Sequence, residues 1–262
     1  MHLFAADTIR IATFNIQVFG KAKMAKPETV RYLCRIIKNF DIVAVQEIRD
    51  ASGESLPYFV RQLNAGSPVK YDYIISKRLG RSKSKEQYAF IYNPAVVQYT
   101  GKSWQWPDHN DTFEREPFLA FFRAGNFDFV LANIHTKPED TKYEVRELVK
   151  VIHTAAYYFK DNDIIVLGDF NADGSYFSEK KSRDGLRENV YSWLVSDSFD
   201  TTVTPNNDNT YDRIVVPHKT VDYYTGTTEV FRFDEKYGLS YQQAKLISDH
   251  YPVWAEFYTG LD

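Results

Sequence analysis

The chain has 262 residues, a formal net charge of −3, and 44% hydrophobic and 16% aromatic residues. That length makes one large domain or two small ones, and that apolar content excludes a disordered chain. The longest apolar runs, such as 164–167 and 129–132, are far too short to span a bilayer, and the slight acidity excludes binding nucleic acid through overall basicity, leaving only a local basic rim. No membrane association is expected.

Residues 1–7 lack both the basic region and the apolar stretch of a signal peptide. A mature secreted chain would lack one too, so secreted and cytoplasmic locations both stay open. The first β-rich run covers 9–15. Pro27 then opens a helix in which Val30, Leu33, Cys34 and Ile37 follow the i, i+3, i+4, i+7 rule. Cys34 is the only cysteine, which excludes an intrachain disulfide and a cysteine metal cluster; it is expected in the core. A strand at 42–46 precedes a second helix carrying Leu56, Phe59, Val60 and Leu63. Strands follow at 71–76, 88–92, 118–122 and 127–134, then a third helix with Val145, Leu148, Val149 and Ile152. The last strands fall at 164–167, 213–216 and 252–257. Many of these strands do not alternate apolar and polar residues, so both faces are expected to be covered, as in two packed sheets with helices outside. No linker, low-complexity segment or internal repeat is visible, which gives a single domain over 1–262, expected to be a monomer.

Unusual polar residues collect at the strand ends. Asn15, Glu47, His135 and Asp169 stand at or just past strand exits, and Glu86, Asp212, Asp249 and His250 stand at strand entries. In antiparallel sheets one strand's exit and its neighbour's entry share a rim, so the two sets can meet on one edge. Taken singly, a carboxylate or Asn there is ordinarily a turn residue, as is Asn171, and a lone His a satisfied surface group. Their joint occurrence suits phosphodiester hydrolysis. That reaction needs an activated water, stabilisation of charge on phosphate oxygens and help for the leaving oxygen. Carboxylates and Asn without thiolates suit a hard cation, Mg²⁺ or Mn²⁺. The absence of CxxC and HExxH excludes the common zinc designs, and the absence of GxxxxGK[ST] argues against nucleoside triphosphate hydrolysis.

TFNIQVFG, VAVQEIRD, KEQYAFIY, NDTFEREP, IHTKPED, LGDFNADGSY, DTTVTP, YDRIVV and ISDHYPV follow one another along the chain. In that order they resemble the deoxyribonuclease I branch of the endonuclease/exonuclease/phosphatase superfamily, from about Ile9 to Phe257. GDFN and SDHxPV mark only the superfamily; KEQY, NDTFEREP and TYDRIVV are specific to the branch. The resemblance implies an α/β fold, a four-layer α/β/β/α sandwich of two mostly antiparallel sheets. It also implies a divalent-metal-dependent endonuclease acting on duplex DNA with little sequence preference and leaving 5′-phosphate ends. By motif, His135 and His250 match the catalytic pair, supported by Glu86 and Asp212 respectively. Glu47 matches the principal metal ligand, with Asn15, Asp169, Asn171 and Asp249 around the metal and scissile phosphate. Arg49 and Arg115 match DNA-backbone contacts, with Tyr211 and Asn15 beside them. Two alternatives stay open: another phosphodiesterase of the superfamily, acting on abasic sites or like a sphingomyelinase, or a catalytically silent nucleic-acid-binding scaffold.

The sequence departs from the vertebrate pattern in four places. The disulfide cysteines are missing from the loops at 106–110 and 206–210, and Ser84 replaces a Tyr that packs in the minor groove. Asp200, Thr202 and Thr204 match one structural Ca²⁺ loop, and Asp111, Phe113 and Glu116 match part of another. Phe118 stands where vertebrate members have a small residue at their actin contact. Although Tyr73 and Ile75 resemble the rest of that contact, actin binding is not expected.

Overall fold

In the computed structural model, which describes residues 8–178 and 182–261, the chain opens with β1 (Thr8–Phe19), α1 (Lys21–Met24), α2 (Pro27–Ile37) and β2 (Ile42–Ile48). It continues through α3 (Ser55–Asn64), β3 (Asp72–Ile75), β4 (Gln87–Tyr92), β5 (Gln98–Gln105), β6 (Phe118–Ala124) and β7 (Phe127–His135). Then come α4 (Thr141–Phe159), β8 (Ile164–Asp169), β9 (Tyr191–Trp193), β10 (Asp212–Pro217), β11 (Tyr224–Val230), α5 (Phe233–Tyr237), α6 (Tyr241–Ile247) and β12 (Val253–Tyr258). Pro27 starts α2, and a Ser240–Gln243 capping box starts α6. Residues 1–7, read in the sequence for a signal peptide, lie outside the described ones.

Two six-stranded sheets result, in the orders β11-β12-β1-β2-β4-β3 and β5-β6-β7-β8-β10-β9. Among the described residues only β1–β2 and β7–β8 pair in parallel; the other strand pairs are antiparallel. Three apolar layers hold them. Phe90, Phe118, Phe122, Phe129, Ile214 and Phe257 fill the space between the sheets. Phe14, Phe19 and Ile48 meet residues of α2, α3 and α6 on one outer face, and Val130, Ala132 and Val166 meet α4 on the other. This is the expected α/β/β/α sandwich. Each fully buried ring contributes roughly 1.5–3 kcal/mol, and Cys34 lies in the outer layer as expected.

The unforeseen strands β5, β9 and β11 have a common cause. β9 and β11 are sheet edges and β5 is another, so half or more of their side chains meet solvent and carry no apolar signal. Phe118 corrects another expectation. It is 5% exposed and stacks on Phe90 at 5.7 Å between the sheets, so it cannot meet a partner or decide whether actin binds.

The absence of a repeat in the sequence conceals one in the path. In each sheet a strand crosses through helix to a parallel neighbour (β1 to β2, β7 to β8), and a later antiparallel strand (β4, β10) joins the far side. Cross-strand register in the second sheet aligns His135 with Asp169 and Asp169 with Asp212, a single row at the sheet edge.

Gly168 makes that row possible. Its φ is +150°, and a Cβ there would lie 1.8 Å from the Ile134 carbonyl oxygen, which is backbone and cannot step aside. Gly168→Ala is expected to lower the urea midpoint by an amount equivalent to roughly 1–3 kcal/mol or more. An unchanged midpoint would show that β7 and β8 are not tightly registered.

Candidate active site

The row in the second sheet orients two imidazoles. His135, at the exit of β7, places Nδ1 2.8 Å from Glu86 Oε1, and His250, before β12, places Nδ1 2.8 Å from Asp212 Oδ2. Both carboxylates have 0% exposure. The opposite nitrogens converge: His135 Nε2 and His250 Nε2 each lie 3.5 Å from Asp169 Oδ2. Burial opposes charge on both rings, but Glu86 and Asp169 raise His135, with Arg115 working against them, and Asp212 and Asp169 raise His250 well above its usual 6.5. Burial also pushes Asp212 up, countered by His250, so this pair holds a proton between its two members. Asp169 goes the other way: burial would raise it, but His250, His135 and Asn15 together hold it low and ionised.

The first sheet supplies the facing edge through a bulge. Pairing of β1 with β2 slips between Asn15 and Phe19, and pairing of β2 with β4 slips between Val45 and Ile48. Gln17, Val18 and Glu47 take positive φ of 41°, 47° and 62°, as does Asn171 at 47°. Non-glycine residues held there typically cost on the order of 1–3 kcal/mol each and persist only where surrounding contacts fix them. The contacts are present. Val18 N donates to Glu47 Oε2 at 2.8 Å, Gln17 Nε2 to Asp249 Oδ2 at 2.7 Å, and Gln17 N to Asn15 Oδ1 at 3.0 Å. Asn15 Nδ2 donates to Asp169 Oδ2 at 3.0 Å and to Glu47 Oε1 at 3.2 Å, joining the edges of the two sheets.

The structure therefore brings together Asn15, Glu47, Glu86, His135, Asp169, Asp212, Asp249 and His250. Asn171 closes the β8 turn, its amide N–H on Asp169 Oδ1 at 3.0 Å and Nδ2 on the Thr136 carbonyl at 3.1 Å. Tyr211 lies 6.3 Å, ring to ring, from His250. The two arginines differ. Arg115 is embedded beneath His135, its Nε donating to the His135 carbonyl at 2.9 Å and lying 3.2 Å from Glu86 Oε1, while Nη2 reaches the Thr136 carbonyl at 3.0 Å. Arg49 is a third exposed, bridges Glu47 and Glu86, and donates to Ser84 Oγ at 3.1 Å. Exposed Lys83 and Lys85 flank Ser84 in the chain, with exposed Lys77 earlier in the same segment, a local concentration of positive charge that a net charge of −3 conceals. Reading the sequence missed Gln17, visible only as a neighbour of Asn15 in TFNIQVFG. It also missed Ser248, whose Oγ donates to the Asn15 carbonyl at 2.7 Å.

The donor set suits a hard divalent cation. Among the described residues no group of three or more His, Cys, Asp or Glu side chains is arranged to hold a metal. An ion between Glu47 and Asp169 would thus have two carboxylates at most and would complete its shell with water and phosphate, as Mg²⁺ does. Asn15 turns its nitrogen to both carboxylates, so its place is the bridge between them. In each of the two loops expected to bind Ca²⁺, an arginine lies against the aspartate. Arg232 Nη2 lies 3.2 Å from Asp200 Oδ2, and Thr202 Oγ1 donates to Asp200 Oδ1 at 2.8 Å; Thr204 is only half-buried. In the other loop Arg81 Nε lies 2.8 Å from Asp111 Oδ1, and a second guanidinium nitrogen donates to the Asp111 carbonyl. Phe113 turns its amide to Asp108 at 2.7 Å, and the Glu116 carbonyl accepts from Gln105 at 2.8 Å. Arg232 and Arg81 thus each pair with the aspartate of one of the two loops.

Residues 12–250 match the Endonuclease/Exonuclease/phosphatase family. The chain is 35% identical to human "Deoxyribonuclease gamma", covering 97% of this chain and 87% of that protein. It is 36% identical to bovine "Deoxyribonuclease-1", with 94% and 91% covered. A solved endonuclease/exonuclease/phosphatase from Bacteroides vulgatus superposes with a TM-score of 0.65 at 18% identity, over 95% of this chain and 98% of that one, a likeness of fold.

Two outcomes follow from the charges. His250 is raised on folding, so its contribution to stability is complete below its ordinary 6.5 and is lost as pH rises through its folded value. Urea midpoints of metal-free protein should fall from about pH 6.5 towards alkaline pH, and Asp212→Asn should flatten the decline; a midpoint that rises with pH would contradict this charge assignment. For the calcium loops, the thermal midpoint in Ca²⁺ and in EGTA should agree within about 2 °C, at roughly 2–4 °C per kcal/mol for a chain of this size. Arg232→Ala should lower the midpoint and make it Ca²⁺-sensitive. A clear Ca²⁺ shift in the unaltered protein would restore the Ca²⁺ reading of Asp200.

Proposed function

The chain belongs to the endonuclease/exonuclease/phosphatase family and to its deoxyribonuclease I branch, a DNA-hydrolysing nuclease, and from that membership we propose a Mg²⁺- or Mn²⁺-dependent endonuclease that nicks duplex DNA with little sequence preference and leaves 5′-phosphate ends. The observation that carries the reading is the convergence of two carboxylate-locked imidazoles on Asp169 Oδ2. Each Nδ1 is engaged, so each Nε2 faces the reaction, and the carboxylate behind it fixes ring angle and tautomer. A phosphate over Asp169 would be reached from two sides.

His250, the more strongly raised of the two, holds the proton destined for the leaving oxygen. His135 takes the proton of the attacking water, because Arg115 beside Glu86 weakens that carboxylate's pull on the ring. Glu47 and Asp169 would hold the divalent ion, which when bound would supply positive charge beside the phosphate oxygens. Asn15 keeps those two carboxylates in place, and Asn171 fixes the turn that presents Asp169. Asp249 stands at the rim, 40% exposed, beside His250. Arg49 and the lysines around Ser84 meet the DNA backbone, so cleavage should weaken as monovalent salt rises.

Plasmid nicking tests this. Either His135→Ala or His250→Ala should lower kcat by roughly 10²–10⁴-fold with the urea midpoint little changed. EDTA should abolish cleavage, and the ends should be religatable by DNA ligase, which requires a 5′-phosphate. Faster turnover of an abasic oligonucleotide or of sphingomyelin than of intact plasmid would move the substrate elsewhere in the superfamily. Near-normal nicking by either His variant would remove the assignment.

A further inference from the structure

Lys23 is a buried ammonium that the proposed chemistry does not use. It sits on the four-residue helix α1 with 9% exposure. Its Nζ donates to the carbonyls of Ile16 at 2.7 Å, Gln17, and Ile247 at 2.8 Å. An ammonium has three N–H groups, and here each has one main-chain acceptor. No salt-bridge carboxylate meets it among the described residues. Burial lowers it to about 8, against the raising fields of Asp249 and Glu47. A desolvated charge compensated only by carbonyl dipoles is an expensive way to fill space, where Met or Leu would pack at less cost.

The three carbonyls belong to two segments that are distant in sequence and are brought together here. Ile16 and Gln17 lie in the bulged end of β1. Gln17 and Val18 have left-handed backbones there, Val18 N holds Glu47, and Gln17 Nε2 holds Asp249. Ile247 ends α6 and leads directly into Ser248, Asp249 and His250. Ser248 Oγ in turn donates to the Asn15 carbonyl, and the His250 amide donates to Ser248 Oγ at 3.1 Å. The carbonyl oxygens of 16, 17 and 247 would repel one another without a cation between them. Their grouping around one Nζ ties the segment that holds Glu47 to the segment that leads to His250, alongside the Gln17–Asp249 and Ser248–Asn15 hydrogen bonds.

We propose that Lys23 is a positioning residue for the nuclease reaction, setting the β1 bulge against the loop that carries Asp249 and His250. It touches neither substrate nor reacting atoms and acts through the three carbonyls. Its influence falls on one side of the site. The β7 end that carries His135 is held instead by Tyr88 OH and Arg115, which Lys23 does not touch.

The claim rests on the nuclease reading for its effect on rate, but its geometric part can be read without any activity. Lys23→Met keeps the length of the side chain and removes the charge and donors. In metal-free protein, the ring NMR signals of His250 should move while those of His135 stay in place. On plasmid, kcat should fall roughly 10–100-fold, the scale of a misplacement of about 1 Å, with KM within about two-fold. If the unaltered protein cleaves no DNA, the nuclease reading fails, and the two histidine signals still decide the role of Lys23. A folded Lys23→Met with unmoved His250 signals would overturn the proposal. So would equal movement of both imidazoles, or a loss carried by KM. If Lys23→Met does not fold, Lys23→Gln keeps two donors and should shift His250 by a smaller amount; unmoved His250 signals in that variant would equally overturn it.

Discussion

One carboxylate oxygen organises this molecule. Asp169 Oδ2 accepts the Asn15 amide at 3.0 Å and stands 3.5 Å from Nε2 of both His135 and His250. It lies at the end of β8, one residue after Gly168, whose missing side chain lets β8 approach β7 closely enough for the row to align. Asp169 is 2% exposed, so its charge is screened by protein groups rather than water, and those groups must stay where they are. The rest of the fold can be understood as the means of keeping them there.

The charges alternate around that point. Glu86 serves His135 and is itself held by Arg115 and Arg49, whose guanidiniums lie 3.2 and 3.7 Å away. Asp212 serves His250 without an arginine, and His250 is the more strongly raised of the two imidazoles. One path, traced twice through the two sheets, thus supports two histidine–carboxylate pairs of different acidity. That difference lets one member hold a proton while the other accepts one at the same pH. The first sheet contributes strain as well: its bulge sets Glu47 on Asn15 and Val18 and Gln17 on Asp249, and Asn15 reaches Asp169 of the other sheet.

Much of this was legible in the sequence because buried strands announce themselves. Segments such as IIVLGD and FDFVLANIH are apolar on both faces, and the polar residue that ends each one stands out. The edge strands did not, since TGKS within β5 and TGTT within β11 face solvent and resemble loops. Resemblance by motif also misled where a neighbour from a distant segment decides the outcome. The Asp200 loop matches a cation loop by motif, and only the fold shows Arg232, far along the chain, set against its aspartate. Phe118 looks like an interface residue until the other sheet is placed over it. Lys23 gave no signal at all, because a lysine in KAKM is ordinarily a solvated charge, and only three carbonyls gathered in space reveal otherwise.

If the two histidine pairs work as one device through Asp169, their supports cannot act independently. The most direct measurement is a double-mutant cycle on single-turnover plasmid cleavage with Glu86→Gln, Asp212→Asn and the double variant. This account predicts a double variant little slower than the slower single one, because either substitution already disturbs the imidazole–Asp169 arrangement on which both proton transfers depend. Losses that multiply, each single factor intact in the double variant, would show two independent groups and contradict a site organised around one carboxylate.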